Sequence, residues 1–350
     1  MVSGELLIRS VRPWPSSTDT SVVDVYCDGG TIVAMGPGLA RPRHAEEVDG
    51  RGGVLLPAFT DAHARVDSAE HLIAAVAAGT TLLRGRVVLD GHGAADDSLE
   101  SLTRALSARD TVRGRATVQI VACPRLMSDG SSTVALLDSA LGAGADLIGG
   151  ADPVTSSDDP VRLLDAMFEL AEKRQCGVDL SLTASGEPGV AQLELVCERA
   201  AALDMRGRVT VTHCHALAGL VPARRDELID ALADSNVAVV TTADDAHEPL
   251  PLRDLRRAGV RVGLGQDGAV DMLERTWHLV SRGGYTADSL VEMCVDTATR
   301  GGAAVLGERD HGLVEGDRAD LVVLPGDTVA DVASTRPART LVVHDGRLVG

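Results

Sequence analysis

At 350 residues the chain can hold one large single-core domain and a smaller one. Hydrophobic residues at 45% with 24% charged residues are ordinary for a soluble globular protein. The balance of 33 basic and 51 acidic residues gives a net charge of −18 and aromatics make up only 2%, so nucleic acid and anionic membranes are poor partners and base stacking has little material.

The N-terminal MVSGELLIRSVRPW lacks a long apolar core and no apolar run reaches membrane-span length, so a cytoplasmic location is expected. Residues 1–56 read as short strands with turns, and the CDGG between two β-branched runs signals a hairpin. Strand-like runs then follow at 80–88, 116–124, 145–152, 177–183, 208–215, 237–245 and 261–267; with the run ending at His63 they make eight. Amphipathic helices alternate with them. The clearest, 159–175, has Asp159 as cap, Pro160 in its first turn and Val161, Leu164, Met167, Phe168 and Ala171 as an apolar stripe. Eight strand–helix repeats over roughly 250 residues is the size of a (β/α)8 TIM-type barrel. The C-terminus returns to strands, with a hairpin at Asp345-Gly346. The expected organisation is an α/β chain with a (β/α)8 barrel over 57–311, its site at the C-terminal strand ends, and a small β-sandwich built from 1–56 plus 312–350. The six cysteines, Cys27, Cys123, Cys176, Cys197, Cys214 and Cys294, show no C-x-x-C spacing and mostly sit in apolar runs, which argues against disulfides and a structural zinc knuckle.

The stretch LLPAFTDAHARVD (55–67) carries the chemistry. If a strand ends there, His63 and Arg65 share a face. Two histidines at that spacing would pair on a metal, but an arginine stays protonated and offers no lone pair.

These segments, together with GTTLLRGRV (79–87), VQIVACP (118–124), GADLIGG (144–150), RVTVTHCHAL (208–217), RVGLGQD (261–267) and the closing GLVEGDRADLVVLP, resemble the amidohydrolase superfamily of metallo-dependent hydrolases, in its cytosine deaminase-like branch, over nearly the whole chain. The resemblance implies one divalent metal (zinc or iron) at the barrel mouth, and hydrolysis or deamination of a C–N bond in a small cyclic substrate. By that resemblance His63 and Asp267 fall on metal ligands, and His213 and Asp267 on catalytic positions. Arg65 falls on the second ligand of the H-x-H pair, Ser181 on the fifth-strand histidine, Ala184 on the proton-shuttling glutamate and Arg125 on a substrate-reading glutamine. Arg86 and Gln266 also replace histidines of the pattern. Only SAEHLIAAVAAG separates Asp67 from the second strand, so the stretch that covers the family's site is mostly missing.

A catalytic zinc wants about three protein donors and a water. A cation beside Arg65 at ~4 Å would meet a repulsion of about 4 kcal/mol under near-surface screening. Losing a general acid–base group removes roughly 10²–10⁴-fold in rate. The metal is therefore expected to be weak or absent, with an Arg65–Asp267 ion pair in its place. Two other readings stay open. A displaced metal could use His213, His215, Asp244, Asp245 and His247 with His63 or Asp267. Alternatively, Arg65, Arg84, Arg86 and Arg125 could converge as a substrate-binding pocket for an anionic small molecule, unless each pairs with a local acid such as Asp90 or Asp152. The chain is thus either a diverged amidohydrolase or a non-catalytic relative that binds a small ligand or a partner protein. Substrate identity, activity and assembly, homo-oligomers included, are not fixed by the sequence. Weaker signals read as structural: the G-x-G-x-x-G at 263–268 lies in a last strand, Cys123 and Cys214 near His213 lack an orienting third group, and Trp277-His278 lies in a helical stretch.

Overall fold

The computed structural model describes residues 4–15, 22–89, 99–125, 130–266, 268 and 271–349. Strands β1 (Leu6–Pro13), β2 (Val23–Asp28), β3 (Thr31–Gly36), β4 (Glu46–Asp49) and β5 (Val54–Pro57) open the chain. The barrel strands follow: β6 (Phe59–Ala64), β7 (Thr80–Leu89), β8 (Thr117–Pro124), β9 (Leu147–Gly150), β10 (Gly177–Leu182), β11 (Val209–His213), β12 (Ala238–Thr241) and β13 (Val262–Leu264). Last come β14 (Leu321–Leu324), β15 (Leu341–His344) and β16 (Arg347–Leu348).

β1–β5 and β14–β16 form one sheet, in which β14 pairs antiparallel with β5 and β5 parallel with β1. Its core is aliphatic, with Leu6, Ile8, Val25, Ile32, Leu321 and Val343 buried. Both expected hairpins are present, at Gly29-Gly30 and Asp345-Gly346. β6 to β13 pair in parallel in chain order, the nearly closed eight-stranded barrel that the sequence pattern predicts. The helix Pro160–Arg174 is capped by Asp159, whose carboxylate accepts from the Arg162 amide, and it buries Leu164, Met167, Phe168 and Ala171. Val161 is the exception in the expected stripe: it is exposed at the helix start, where Leu163 and Leu170 take its share of the core.

Glycine brings the first and last barrel strands together. A Cβ on Gly265 would lie 2.3 Å from that of His63, and one on Gly263 would lie 3.3 Å from that of Ala62. The G-x-G pattern thus serves close approach of two backbones. Asp61, buried on β6, accepts from its own strand's His63 amide and from the Gln266 amide beyond β13, each at 3.0 Å, which tethers the seam.

The barrel interior carries charge. Arg84 of β7 is 4% exposed; it donates to Gln119 Oε1 (2.9 Å) and Thr210 Oγ1 (2.9 Å) and lies 3.5 Å from Asp179. Arg86, one pleat nearer the mouth, donates to Asp179 Oδ1 (2.5 Å) and to the Gly150 carbonyl (2.7 Å). Asp179 is fully buried, so one carboxylate faces two guanidiniums. The short helix Gly302–Leu306 closes the N-terminal end; its Leu306 carbonyl accepts from Gln119 Nε2 at 2.9 Å. Among the described residues no helix is long and apolar enough to cross a membrane.

Removing one partner of a buried ion pair is costly because the other charge stays desolvated. Asp179→Asn is expected to destabilise by ~3–5 kcal/mol in chemical denaturation. Asp165→Asn, which breaks the half-exposed pair with Arg199, is expected to cost under ~1 kcal/mol. Equal effects would contradict this account of the interior.

Candidate functional site

The mouth of the barrel is built from the C-terminal ends of β6, β7, β10, β11 and β12. His63, 7% exposed, sits at the end of β6 with its ring edge-on to His213, centroids 5.5 Å apart. Burial first, then the positive charge of Arg86 and the neighbouring His213, holds the His63 imidazole well below its ordinary pKa, so it is neutral at physiological pH. Arg65, just past the strand, is 57% exposed and donates to Asp67 Oδ2 at 2.5 Å. Asp267, the partner expected for it, lies outside the described residues, as does Asp90. Ser181 is on the lumen face of β10, two residues beyond Asp179, and Ala184 follows the strand. The amides of Thr183 and Ala184 donate to Asp152, whose other oxygen caps the turn at Pro153, so Asp152 orders the loop and does not pair with an arginine.

Of the four arginines whose convergence the sequence left open, Arg65 and Arg86 share the mouth cavity and Arg84 and Arg125 do not. Arg84 points into the lower interior, where Asp179, Gln119 and Thr210 hold it, because strand alternation puts it inside and its long side chain finds partners there rather than at the mouth. Arg125 is exposed past β8 and lines none of the mouth cavity. What does form is a cavity of about 590 Å³ between β6, β7 and the helix Glu100–Thr111, lined by His63, Arg65, Asp67, Arg86, Ser101 and Arg104 among others. Arg104 had no sequence signal: it is one exposed arginine on a helix of mixed polarity, and only the packing of that helix on β7 aims it here.

A second cluster lies across the mouth. His213 and Cys214 adopt left-handed backbone conformations (φ 72° and 49°) that end β11 abruptly, so simple strand alternation does not govern His213 and His215. Their rings still sit edge to face at 5.5 Å, and His215 stacks on His247 at 3.5 Å. His215 Nδ1 lies 3.1 Å from the Thr183 carbonyl, which can only accept, so that nitrogen carries the proton and Nε2 keeps its lone pair. Nε2 is buried without a hydrogen-bond partner, 3.8 Å from Asp244 Oδ2. Asp244 Oδ1 in turn takes His247 Nδ1 at 2.8 Å. Potential ligand atoms of His215, Asp244 and His247 all lie within 4.8 Å of one another. Asp245, by contrast, faces His278 at 3.0 Å.

The inherited metal position fits a cation poorly. Its described residues offer His63, His213 and a serine hydroxyl, and the guanidiniums of Arg65 and Arg86 line a cavity with His63. The cysteines add no nucleophile: burial pushes the Cys123 thiol up to about 11, and that of Cys214 higher still.

A model of the amidohydrolase family matches residues 66–349. The N-isopropylammelide isopropyl amidohydrolase of Pseudomonas sp. (strain ADP) is 24% identical, over 99% of this chain and 97% of that protein. The crystal structure of N-isopropylammelide isopropylaminohydrolase from Burkholderia multivorans superposes with a TM-score of 0.92 at 34% identity, covering 99% and 98% of the two chains. That of 5-methylcytosine deaminase from Klebsiella pneumoniae, with 5-fluorocytosine bound, gives 0.83 at 19% identity over 99% and 97%, a likeness of fold.

If Arg86 holds His63 neutral together with burial, Arg86→Gln should raise the His63 pKa toward the ordinary histidine value of ~6.5. A ¹⁵N imidazole titration by NMR reads this directly; an unchanged His63 would remove Arg86 from the cause.

Proposed function

The chain belongs to the amidohydrolase family, and we propose that it is a member whose barrel mouth binds a small anionic molecule instead of running metal-dependent hydrolysis at the inherited position. One observation carries the reading: a cavity of about 590 Å³ presents Arg65, Arg86 and Arg104 beside a neutral His63, with Asp67 as the one carboxylate lining it among the described residues. Asp67 is already bound to Arg65, and Arg86 to Asp179. Arg104 has no ion-pair partner among the described residues, which leaves its fork for a ligand. The volume lies within the ~300–1,000 Å³ usual for small-molecule sites.

Arg65, Ser181 and Ala184 stand where the family pattern puts two metal ligands and a proton shuttle, so hydrolytic chemistry there lacks both its electrophile and its acid–base group. An Arg65–Asp267 contact would complete the charge replacement on the ligand-free side. The relatives are named for N-isopropylammelide and 5-methylcytosine, so the favoured ligand is a small planar ring that bears an acidic group. Calorimetric titration with orotate, a planar heteroaromatic carboxylate, should give saturable binding that Arg104→Gln weakens about tenfold, with neutral uracil much weaker. No saturable binding would overturn the reading. So would zinc-dependent release of ammonia from cytosine that Asp267→Asn abolishes.

A second reading rests on the buried Nε2 of His215 beside Asp244 and His247. Two imidazoles and a carboxylate are a sufficient protein donor set for zinc, which would supply a Lewis acid there. An adjoining cavity of about 20 Å³ reaches His213 and Glu248. The stacked rings have nearly parallel planes, 20° apart, and their lone pairs converge only if His247, 46% exposed, turns. Dialysis against zinc followed by elemental analysis should find about one equivalent, lost in Asp244→Ala and in His247→Ala but kept in His63→Ala. No retained zinc rejects this site.

A further inference from the structure

The largest unexplained concentration of charge is on the opposite face of the barrel. A cavity of about 680 Å³ opens at the N-terminal strand ends. Arg206 and Arg208 reach it from the approach to β11, Arg261 from the residue before β13, and Arg300 and Arg309 from the segment around the closing helix Gly302–Leu306.

The partners of these side chains are the telling feature. Arg206 donates to the Asp234 and Ala201 carbonyls, and Arg208 to the Asp204 carbonyl and the Gln175 amide oxygen. Arg261 donates to Asn236 Oδ1 (2.9 Å), the Asn236 carbonyl (2.8 Å) and the Ala304 carbonyl (2.9 Å). All of these acceptors are neutral. Among the described residues none of Arg206, Arg208, Arg261 and Arg309 has a carboxylate within ion-pair distance; Arg300 alone is paired, with Asp296. The cavity's two carboxylates are engaged elsewhere, Glu308 with Arg318 and Asp317 with the Val314 amide. The guanidiniums of Arg206, Arg208 and Arg261 are thus oriented by backbone and amide groups, with no carboxylate in ion-pair contact, and cations outnumber acids in the lining. Such an arrangement is unusual on a chain of net charge −18, whose carboxylates could have paired them.

We propose that this face is a second ligand site, distinct from the mouth, which takes a multiply charged phosphate chain such as a di- or triphosphate group. Planar guanidinium forks match phosphate oxygens two at a time, and several forks around one cavity suit a ligand with several phosphates rather than one. The walls add Leu313, Val314 and the buried His311, whose imidazole is bound to the Ala58 carbonyl, and no Phe, Tyr or Trp. Recognition therefore falls on the phosphates and not on a base. Arg261 and Asn236 sit on the threshold of β12 and β13, so an occupied site would brace the barrel's N-terminal end.

The test titrates inorganic tripolyphosphate calorimetrically against the full chain in physiological salt. Saturable one-to-one binding is expected. The double variant Arg206→Gln/Arg309→Gln removes two exposed side chains with little risk to folding, and it should weaken binding at least about tenfold. Arg113→Gln, a surface charge in the turn after the helix Glu100–Thr111, should leave the affinity unchanged. Binding that is lost equally in Arg113→Gln would mean nonspecific charge attraction and overturn the proposal. Loss in Arg104→Gln with no effect of the double variant would place the ion at the mouth and equally overturn it. Absence of binding, with an oligomer in sedimentation that the double variant dissolves, would reassign the face to a protein contact.

Discussion

The interaction on which the rest of the barrel's chemistry depends is the pairing of Arg84 and Arg86 with a single buried Asp179. In a low-dielectric interior two guanidiniums need a counter-charge, and both meet this same carboxylate. Arg86 is the one that reaches the mouth. Burial does most to hold the His63 imidazole below its ordinary pKa, and Arg86 adds to it from the same cavity wall. The interior arginines and the histidine at the mouth therefore belong to one electrostatic arrangement.

The two faces of the barrel differ in how their arginines are satisfied. Near the mouth they are tied to acids, Arg65 to Asp67 and Arg86 to Asp179. On the N-terminal face they are steered by carbonyls and amides, which set direction without cancelling charge. Net charge at the level of the whole chain hides both.

The fold was legible in the sequence because it is written in short-range patterns. Apolar runs of strand length alternate with helical stripes, and caps such as Asp159 and turns such as Asp345-Gly346 each act over a few residues. The site was legible only as residue types at strand ends. His63, His213 and His215 came together as their positions imply, and Arg65 lay beside His63. The direction of a long side chain is another matter. Arg84 and Arg86 are two residues apart on the same strand face, yet one serves the lower interior and the other the mouth, because Asp179, Gln119 and Thr210 come from strands distant in sequence. Arg104 could not be found at all, since nothing local distinguishes it from any solvated helical arginine. The left-handed backbone at His213 and Cys214 likewise breaks the alternation from which their facing would be read.

The shared Asp179 has a consequence for substitution within the barrel. Replacing Arg86 would leave Asp179 with Arg84, at 3.5 Å, as its one ion-pair partner among the described residues, and the carboxylate would then be the group in search of a proton or a cation. One carboxylate thus couples the two arginines, so that neither can be exchanged without changing the charge that the other faces.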